Sequence, residues 1–253
     1  MNSEERQRKI LTLARSQGLA EVNAVASALD VSRETVRRDF STLENRGLIR
    51  RTYGGAYPVE SAGFETGLAE RVTLHSAARR RIASEAVKHL GSAESIFIDE
   101  GYTPQVLATL LPTDRPLTIV TAAASTAAAV ADASNLTVLL LGGRIRARTL
   151  ATVGSWTCDM LGGFVIDLAF IGANGISRHR GLTTPDPVVA DVKSKAMEVS
   201  RRRVFVGHHS KFGANSFSRF AGVADFEAIV TDTGLSSAEA HRYSLLGPQV
   251  HRA

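Results

Sequence analysis

Between residues 95 and 231, short apolar runs alternate with helical stretches, and this alternation restricts the fold more than any other feature of the chain. Ser95–Ile98, Leu117–Thr121, Thr137–Leu141, Asp167–Ile171, Arg203–Val206 and Ala228–Thr231 read as strands. Pro104–Leu111, Ala122–Ala133 and Val188–Arg201 read as helices. Runs this short and this apolar suit strands buried on both faces. Strand–helix–strand units then give an α/β fold: a mostly parallel, Rossmann-like sheet covered by helices on both sides. Ligands of such sheets bind outside the carboxyl ends of the strands, so the residues that follow each apolar run are the candidates for chemistry.

Several of those ends are marked. After Ile98 come Asp99, Glu100, Gly101, Tyr102, Thr103 and Pro104: an acid, a glycine turn, then Thr103 as expected N-cap and Pro104 as expected first helical residue. Amides at a helix start attract anions, and Asp99 can accept from sugar hydroxyls. Val120 is followed by Thr121 and Ala122, and Leu141 by Gly142, Gly143 and Arg144. The glycine pair permits close backbone approach, with a guanidinium beside it. Val206-Gly207 leads into His208, His209, Ser210 and Lys211. Taken singly, each feature has a plain explanation as a turn, a cap or a surface lysine. Grouped on one sheet, they point to a ligand crevice. Arg79, Arg80 and Arg81, on an expected helix from His75 to Leu90, read as a solvated face, with a DNA-backbone or interdomain contact as the alternative. Adjacent strand residues point to opposite faces, so His208 and His209 are not read as a metal-ligand pair. No metal site and no cofactor are expected, since no H-E-x-x-H, Walker loop or G-x-G-x-x-G after a strand is present.

The front of the chain has a different period. Glu4–Ser16 reads as a helix with Ile10, Leu13 and Ala14 inward, ended at Gly18. A second helix spans Glu21–Leu29. After Asp30-Val31-Ser32 a third runs from Arg33 to Asn45, with Ser32 as N-cap and Glu34 in its first turn. Gly47 is the expected stop. Leu48–Thr52 reads as a strand and Tyr53-Gly54-Gly55-Ala56 as a hairpin turn. Two helices, a tight turn and a basic hairpin make a winged helix-turn-helix, whose third helix fits the major groove. From Arg33 to Arg51 there are six arginines against three acids, an excess of +3. Arginine's planar fork matches phosphates and guanine edges. Ser32, Arg33, Thr35, Arg37 and Arg38 fall at the start or on the outer face of the third helix. Arg50 and Arg51 are placed on the wing, along the DNA backbone or in a minor groove. The alternative is a three-helix module that packs on protein.

The remaining bounds are simple. The net charge of +5 suggests an anionic partner. The single cysteine, Cys158, excludes an intrachain disulfide and a thiolate metal cage. No run approaches the ~20 apolar residues of a membrane helix, and Met1–Lys9 carries no apolar signal core, so a cytoplasmic protein with no membrane partner is expected.

The run from Val31 to Ala56, V-S-R-E-T-V-R-R-D-F-S-T-L-E-N-R-G-L-I-R-R-T-Y-G-G-A, closely resembles the DeoR family of bacterial transcriptional regulators. The remainder resembles that family's effector domain, which is similar to ribose-5-phosphate isomerase, glucosamine-phosphate isomerase and CoA transferases. The family's D-x-G-T/S-T falls on Asp99–Thr103, its T-N/A on Thr121-Ala122 and its L-G-G on Leu141–Gly143. Its G-x-x-G falls on Gly172–Gly175, its S-K-F-G on Ser210–Gly213 and its T-D on Thr231-Asp232. The chain departs from the pattern at Tyr102, usually a small hydroxyl residue, and at Ala122, often Asn. It departs again at Val189, where a Glu often precedes the helical Lys193, and at His208, usually Asp. The resemblance implies a DNA-binding domain over residues 3–58, a linker over 59–74, an effector and oligomerisation domain over 75–232 and a tail over 233–253. It implies an effector site at Asp99, Gly101, Tyr102, Thr103, Thr121, Ala122, Gly142, Gly143, Lys193, His208 and Lys211, taking a phosphorylated sugar or related metabolite.

The reading is therefore a non-enzymatic repressor of a carbohydrate-metabolism operon. Its partners are a double-stranded DNA operator, a small effector and further copies of itself as a dimer or tetramer. The rival is a phosphosugar isomerase with a DNA-binding appendage, for which Asp99 or Glu100 would be the base. A constitutive architectural DNA binder is the third possibility.

Overall fold

The computed structural model describes residues 1–17, 19–45, 48–52, 54–58 and 76–253, without the side chains of 15, 16, 50, 52 and 57. The expected helix stops at Gly18 and Gly47, Tyr53 of the expected turn and the linker 59–74 lie outside them. The chain divides into two units, Met1–Thr66 and Gly67–Ala253.

In the first unit, α1 (Ser3–Gln17), α2 (Val22–Leu29) and α3 (Arg33–Asn45) accompany β1 (Ala20–Glu21), β2 (Ile49–Thr52) and β3 (Gly55–Pro58). The strands form one antiparallel sheet in the order β1-β3-β2. Ala20 and Glu21, the latter expected to open the second helix, instead pair with Ala56 and Gly55. Ile10, Ala14, Val25, Val36, Phe40, Leu43 and Ile49 close a small core. Asp30 takes the left-handed conformation at the end of α2 (φ 50°), which Asp tolerates better than most residues, and turns the chain into α3. The Ser32 hydroxyl accepts from the Thr35 amide at 3.1 Å and caps α3.

One buried acid ties this unit together. Asp39, on the inner face of α3, accepts from the Arg6 guanidinium, from Gln7 Nε2 at 3.1 Å and from the Ser3 hydroxyl at 3.4 Å, all on α1. Its hydrogen bond to Asp39 raises the Arg6 pKa further. A domain of this size has only a few kcal/mol of stability. Asp39→Ala strands Arg6, which keeps some solvent contact, and is expected to cost about 2–3 kcal/mol. Hydrogen exchange on the full chain should then show protection lost selectively from α1 and α3. Uniform protection in the variant would contradict this role.

The second unit begins with α4 (Ser76–Val87) and β4 (Ser95–Ile98), followed by α5 (Tyr102–Ala108), β5 (Leu117–Thr121), α6 (Ala124–Val130) and β6 (Leu136–Leu140). A ribbon of β7 (Arg144–Arg146) and β8 (Ala151–Val153) leads to α7 (Ser155–Gly162) and β9 (Ile166–Ile171). Then come β10 (Gly175–Ser177), β11 (Gly181–Thr184), α8 (Pro187–Glu198), β12 (Ser200–Val206), β13 (Ser218–Ala221), β14 (Ala228–Thr231), α9 (Ser237–Ser244) and β15 (Gln249–Arg252). The main sheet has the order β15-β14-β12-β9-β4-β5-β6, parallel throughout. Strands β10, β11 and β13 form a separate small sheet.

Both faces of the main sheet are covered, and the strands divide their side chains with a period of two. Phe97, Val120, Ala169, Ile171, Phe205 and Ile229 pack with Leu161 of α7 and Val189, Val192 and Ala196 of α8. Ile96, Ile98, Ile119, Leu168, Phe170, Val204, Val206 and Val230 pack with Ile82, Ala83 and Ala86 of α4 and Leu107 of α5. Residues 233–253, expected as a tail, are instead part of this domain. Ser236 caps α9, and β15 is the parallel edge strand beside β14. Its sequence, Gln-Val-His-Arg, lacks an apolar run because an edge strand need not be buried. The third expected helix of this part ends at Glu198 rather than Arg201, and Ser200 and Arg201 already belong to β12.

Candidate nucleic-acid interface and effector site

On α3, Val36, Asp39, Phe40 and Leu43 face the core, which leaves Arg33, Glu34, Arg37 and Arg38 exposed on the opposite side. Helical periodicity thus sorts the inner residues from a basic outer face. Arg37 lies 3.7 Å from Glu34, a loose surface pair that leaves it 60% exposed and available to a polyanion. The Ser32 hydroxyl, besides capping, lies 2.9 Å from Thr35 Oγ1. Arg51 differs from its expected place. Its amide donates to Glu44 and its guanidinium to Ser41 Oγ at 2.9 Å, so it folds back onto α3 instead of standing out from the wing. The Arg50 side chain lies outside the described residues.

In the second unit, strand order decides where a ligand can sit. From β4 the chain moves outward through β5 to β6, then returns to place β9 on the other side of β4. The order reverses between β4 and β9, and a crevice opens outside the carboxyl ends at such a switch point. Asp99 follows β4 and Gly172 follows β9. The Asp99 carboxylate accepts from the Glu100 amide and, at 2.8 Å, from the Gly172 amide. Lys193 of α8 donates to Asp99 Oδ2 and, at 3.2 Å, to the Gly172 carbonyl. Asp99 and Lys193 are 2% and 3% exposed, a buried ion pair whose partners are 94 residues apart.

Further polar pairs lie on the segments joining these elements. Thr149 donates to Glu100 Oε2 at 2.6 Å. Arg146 donates to Asp186 at 3.0 Å, and Asp186 in turn caps α8. Asp186, in extended conformation, thus stands at the start of the helix that carries Lys193. Arg146, Thr149 and Asp186 carry no motif in the sequence, and Gly172 stands there only within the G-x-x-G pattern. Their shared feature, attachment to α8 or to β4, exists only in three dimensions.

The other expected effector residues divide. Gly101 has φ +119° and turns the chain so that α5 starts at Tyr102. Thr103 is therefore not the N-cap: it lies inside the helix, buried, and Pro104 is third rather than first. Thr121 is fully buried and braces β5 on β4, donating to the Ile98 carbonyl at 2.7 Å and accepting from the Ala123 amide. The Ala122 carbonyl is held by Thr152. Gly143 has φ +144°, and a Cβ there would lie 2.2 Å from Thr157 Oγ1, so its missing side chain makes room for the protein's own threonine. Gly142 is exposed, and its carbonyl accepts from the same Thr157 hydroxyl. Tyr102 lies beneath the guanidinium of Arg79, 5.2 Å from the ring centroid. Arg79 is 9% exposed, which corrects its expected solvated position; Arg80 remains at the surface.

The two histidines also depart from expectation. They lie beyond β12, and His208 caps a 3-10 turn over His209–Lys211, so strand alternation does not apply. The rings lie 4.1 Å apart between centroids. His209 Nδ1 is 2.6 Å from Asp232 Oδ2, and its amide donates to Oδ1 at 2.7 Å. Burial raises the Asp232 pKa, but these hydrogen bonds and the adjacent imidazoles outweigh it and hold the carboxyl below its ordinary value. Lys211 is half-buried at the end of the turn.

Residues 6–62 match the DeoR-like helix-turn-helix domain, and residues 74–233 match the DeoR C terminal sensor domain. The chain belongs to the DeoR family. This DeoR-family chain is 34% identical over 233 residues to the HTH-type transcriptional regulator GlpR of Haloferax volcanii, covering 92% of this chain and 91% of that one. It is 29% identical to the glycerol-3-phosphate regulon repressor of Escherichia coli, covering 92% of each. Among solved structures, ribose 5 phosphate isomerase A from Neisseria gonorrhoeae aligns with TM-score 0.40 and 15% identity over 54% of this chain and 53% of that one. As a member of the DeoR family the protein is a DNA-binding transcriptional regulator. Among its described residues no helix is long and apolar enough to cross a membrane.

Proposed function

We propose that this regulator is a cytoplasmic repressor of a carbohydrate-metabolism operon, released from its operator by a phosphorylated sugar or related metabolite. The exposed arginine face of the capped helix α3 carries the DNA half of the reading. The Asp99–Gly172–Lys193 cluster at the switch point of the sheet supports the effector half. Arg33, Arg37 and Arg38 would meet base edges or phosphates, with Ser32 and Thr35 at the helix start, Arg50 on the backbone, and Arg51 reaching it on leaving Ser41 and Glu44. Asp99 would orient sugar hydroxyls, while Lys193 and Lys211 would supply positive charge for the phosphate. A dimer or tetramer would place two such helices on paired half-sites. The effector acts by binding the DNA-incompetent arrangement more tightly.

A catalytic role is not part of this reading. A sugar isomerase needs a base free to take a proton from carbon. Asp99 is ion-paired with Lys193 and Glu100 accepts from Thr149, so neither carboxylate is set up as that base. The test is anisotropy binding of the full chain to DNA from upstream of bacterial carbohydrate operons, followed by titration with pentose, hexose and amino-sugar phosphates. One fragment should bind in preference, and one sugar phosphate should release it and raise the melting temperature by mass action. Turnover of such a sugar without any effect on DNA binding would favour the isomerase.

A further inference from the structure

We infer that His208, His209 and Asp232 form a binding site for a divalent transition-metal ion, with zinc the best match to the donor set. One ligand atom from each residue lies within 4.8 Å of the others. His208 Nε2 is 3.8 Å from Asp232 Oδ2, and His209 Nδ1 is 2.6 Å from the same oxygen. With bonds of about 2.0–2.1 Å and tetrahedral angles, donors on zinc stand about 3.3 Å apart. The His209–Asp232 separation must therefore widen by about 0.7 Å and the His208–Asp232 separation close by about 0.5 Å, with the two imidazole nitrogens, which lie within 4.8 Å, also drawn to about 3.3 Å. The ion would replace the proton between His209 and Asp232.

The surroundings are those of held ligands. Asp232 is 4% exposed and His208 5%, so water competes poorly for either. His208 Nδ1 accepts from the Ser210 amide at 3.2 Å and lies 3.0 Å from Ser210 Oγ, which fixes the ring with Nε2 toward Asp232; for Nε2 to bind the ion, the amide must give way to a proton on Nδ1, which the Ser210 hydroxyl is placed to accept. Asp232 is fixed by the amides of His209 and Gly234 at 2.7 and 3.1 Å. A Cβ at Gly234 would lie 2.1 Å from His209 Nδ1, so the glycine keeps open the space this ring occupies. Two imidazole nitrogens and one carboxylate oxygen suit zinc, nickel or cobalt, whereas calcium and magnesium prefer all-oxygen shells. Three protein ligands leave a fourth position for water or for an oxygen of a small molecule. The site stands on the carboxyl ends of β12 and β14, and the inference does not depend on the identity of the effector.

Titration of the untagged, chelator-treated full chain with zinc, by calorimetry, should give one saturable site per chain. Cobalt in its place should give the intense visible bands of a tetrahedral N/O site. His209→Gln, at a half-exposed position and with a side-chain amide that can still donate to Asp232, should weaken zinc at least tenfold. His208→Gln should do the same and abolish the cobalt bands. Absence of saturable zinc binding by the wild-type chain would overturn the inference. So would equal zinc affinity in H209Q and wild type, which would assign the ion to histidines elsewhere.

Discussion

Asp99→Ala is expected to destabilise the C-terminal domain by about 3–5 kcal/mol, the cost of leaving a buried charge without its partner. Lys193 is 3% exposed, and only the Gly172 carbonyl and the face of Phe220, 5.6 Å away, would remain to it. The Gly172 and Glu100 amides lose their acceptor in the same variant. The double variant D99N/K193M removes both charges and keeps an oxygen for one of the two amides, so part of the stability should return. Urea unfolding of the wild type, D99N, K193M and D99N/K193M, the four corners of the cycle, measures the coupling. The cycle also separates stability from ligand response. D99N/K193M should fold and bind operator DNA yet fail to be released by the sugar phosphate that releases the wild type. A double variant that folds and responds at the same effector concentration would show that the switch-point cluster only braces the sheet.

Arg37→Ala and Arg38→Ala are each expected to weaken operator binding by about 1–3 kcal/mol, roughly 5- to 150-fold, where the guanidinium reads a base. Where it meets a phosphate instead, the affinity loss should be smaller and the salt dependence shallower by about one unit on a log–log plot. Both side chains are exposed, and among the described residues Arg37 makes a loose contact to Glu34, so neither change should alter unfolding of the free protein. Effector binding, measured by thermal shift, should be untouched. Anisotropy titrations at two salt concentrations distinguish the cases. If neither variant loses affinity, α3 is not the helix that enters the groove.

The elements that could be read from the chain are those whose own residues carry the reason for their shape. Helix α3 could be bounded at Arg33 and Asn45 because Ser32 is a cap and Val36, Phe40 and Leu43 recur at helical spacing. Strands β4, β5 and β14 could be bounded to the residue because each is an apolar run between polar turns. Strand β15 could not, since Gln-Val-His-Arg gains its place only from pairing with β14. Asp39 was visible as the acid after two arginines, but its work on Arg6 and Gln7 was not, because those partners come from a helix more than thirty residues away. The same holds for Thr121 and Gly143, whose polar or open character suggested a ligand and instead serves neighbouring backbone and the Thr157 side chain.

What the linear chain determined by itself is the class of fold and the kind of partner. Periodicity of two or of 3.6, caps, glycine turns and arginine spacing are local properties, fixed within a few residues by backbone sterics and by the need to bury apolar side chains. What only the tertiary structure decided is which polar groups meet. Strand order sets Asp99 beside Gly172 and Lys193, and a 3-10 turn, not a strand, brings His208 and His209 onto Asp232. Those encounters join residues 23 to 94 positions apart. Their energies come from burial and from alignment of charged groups, and both exist only once the sheet has closed around them.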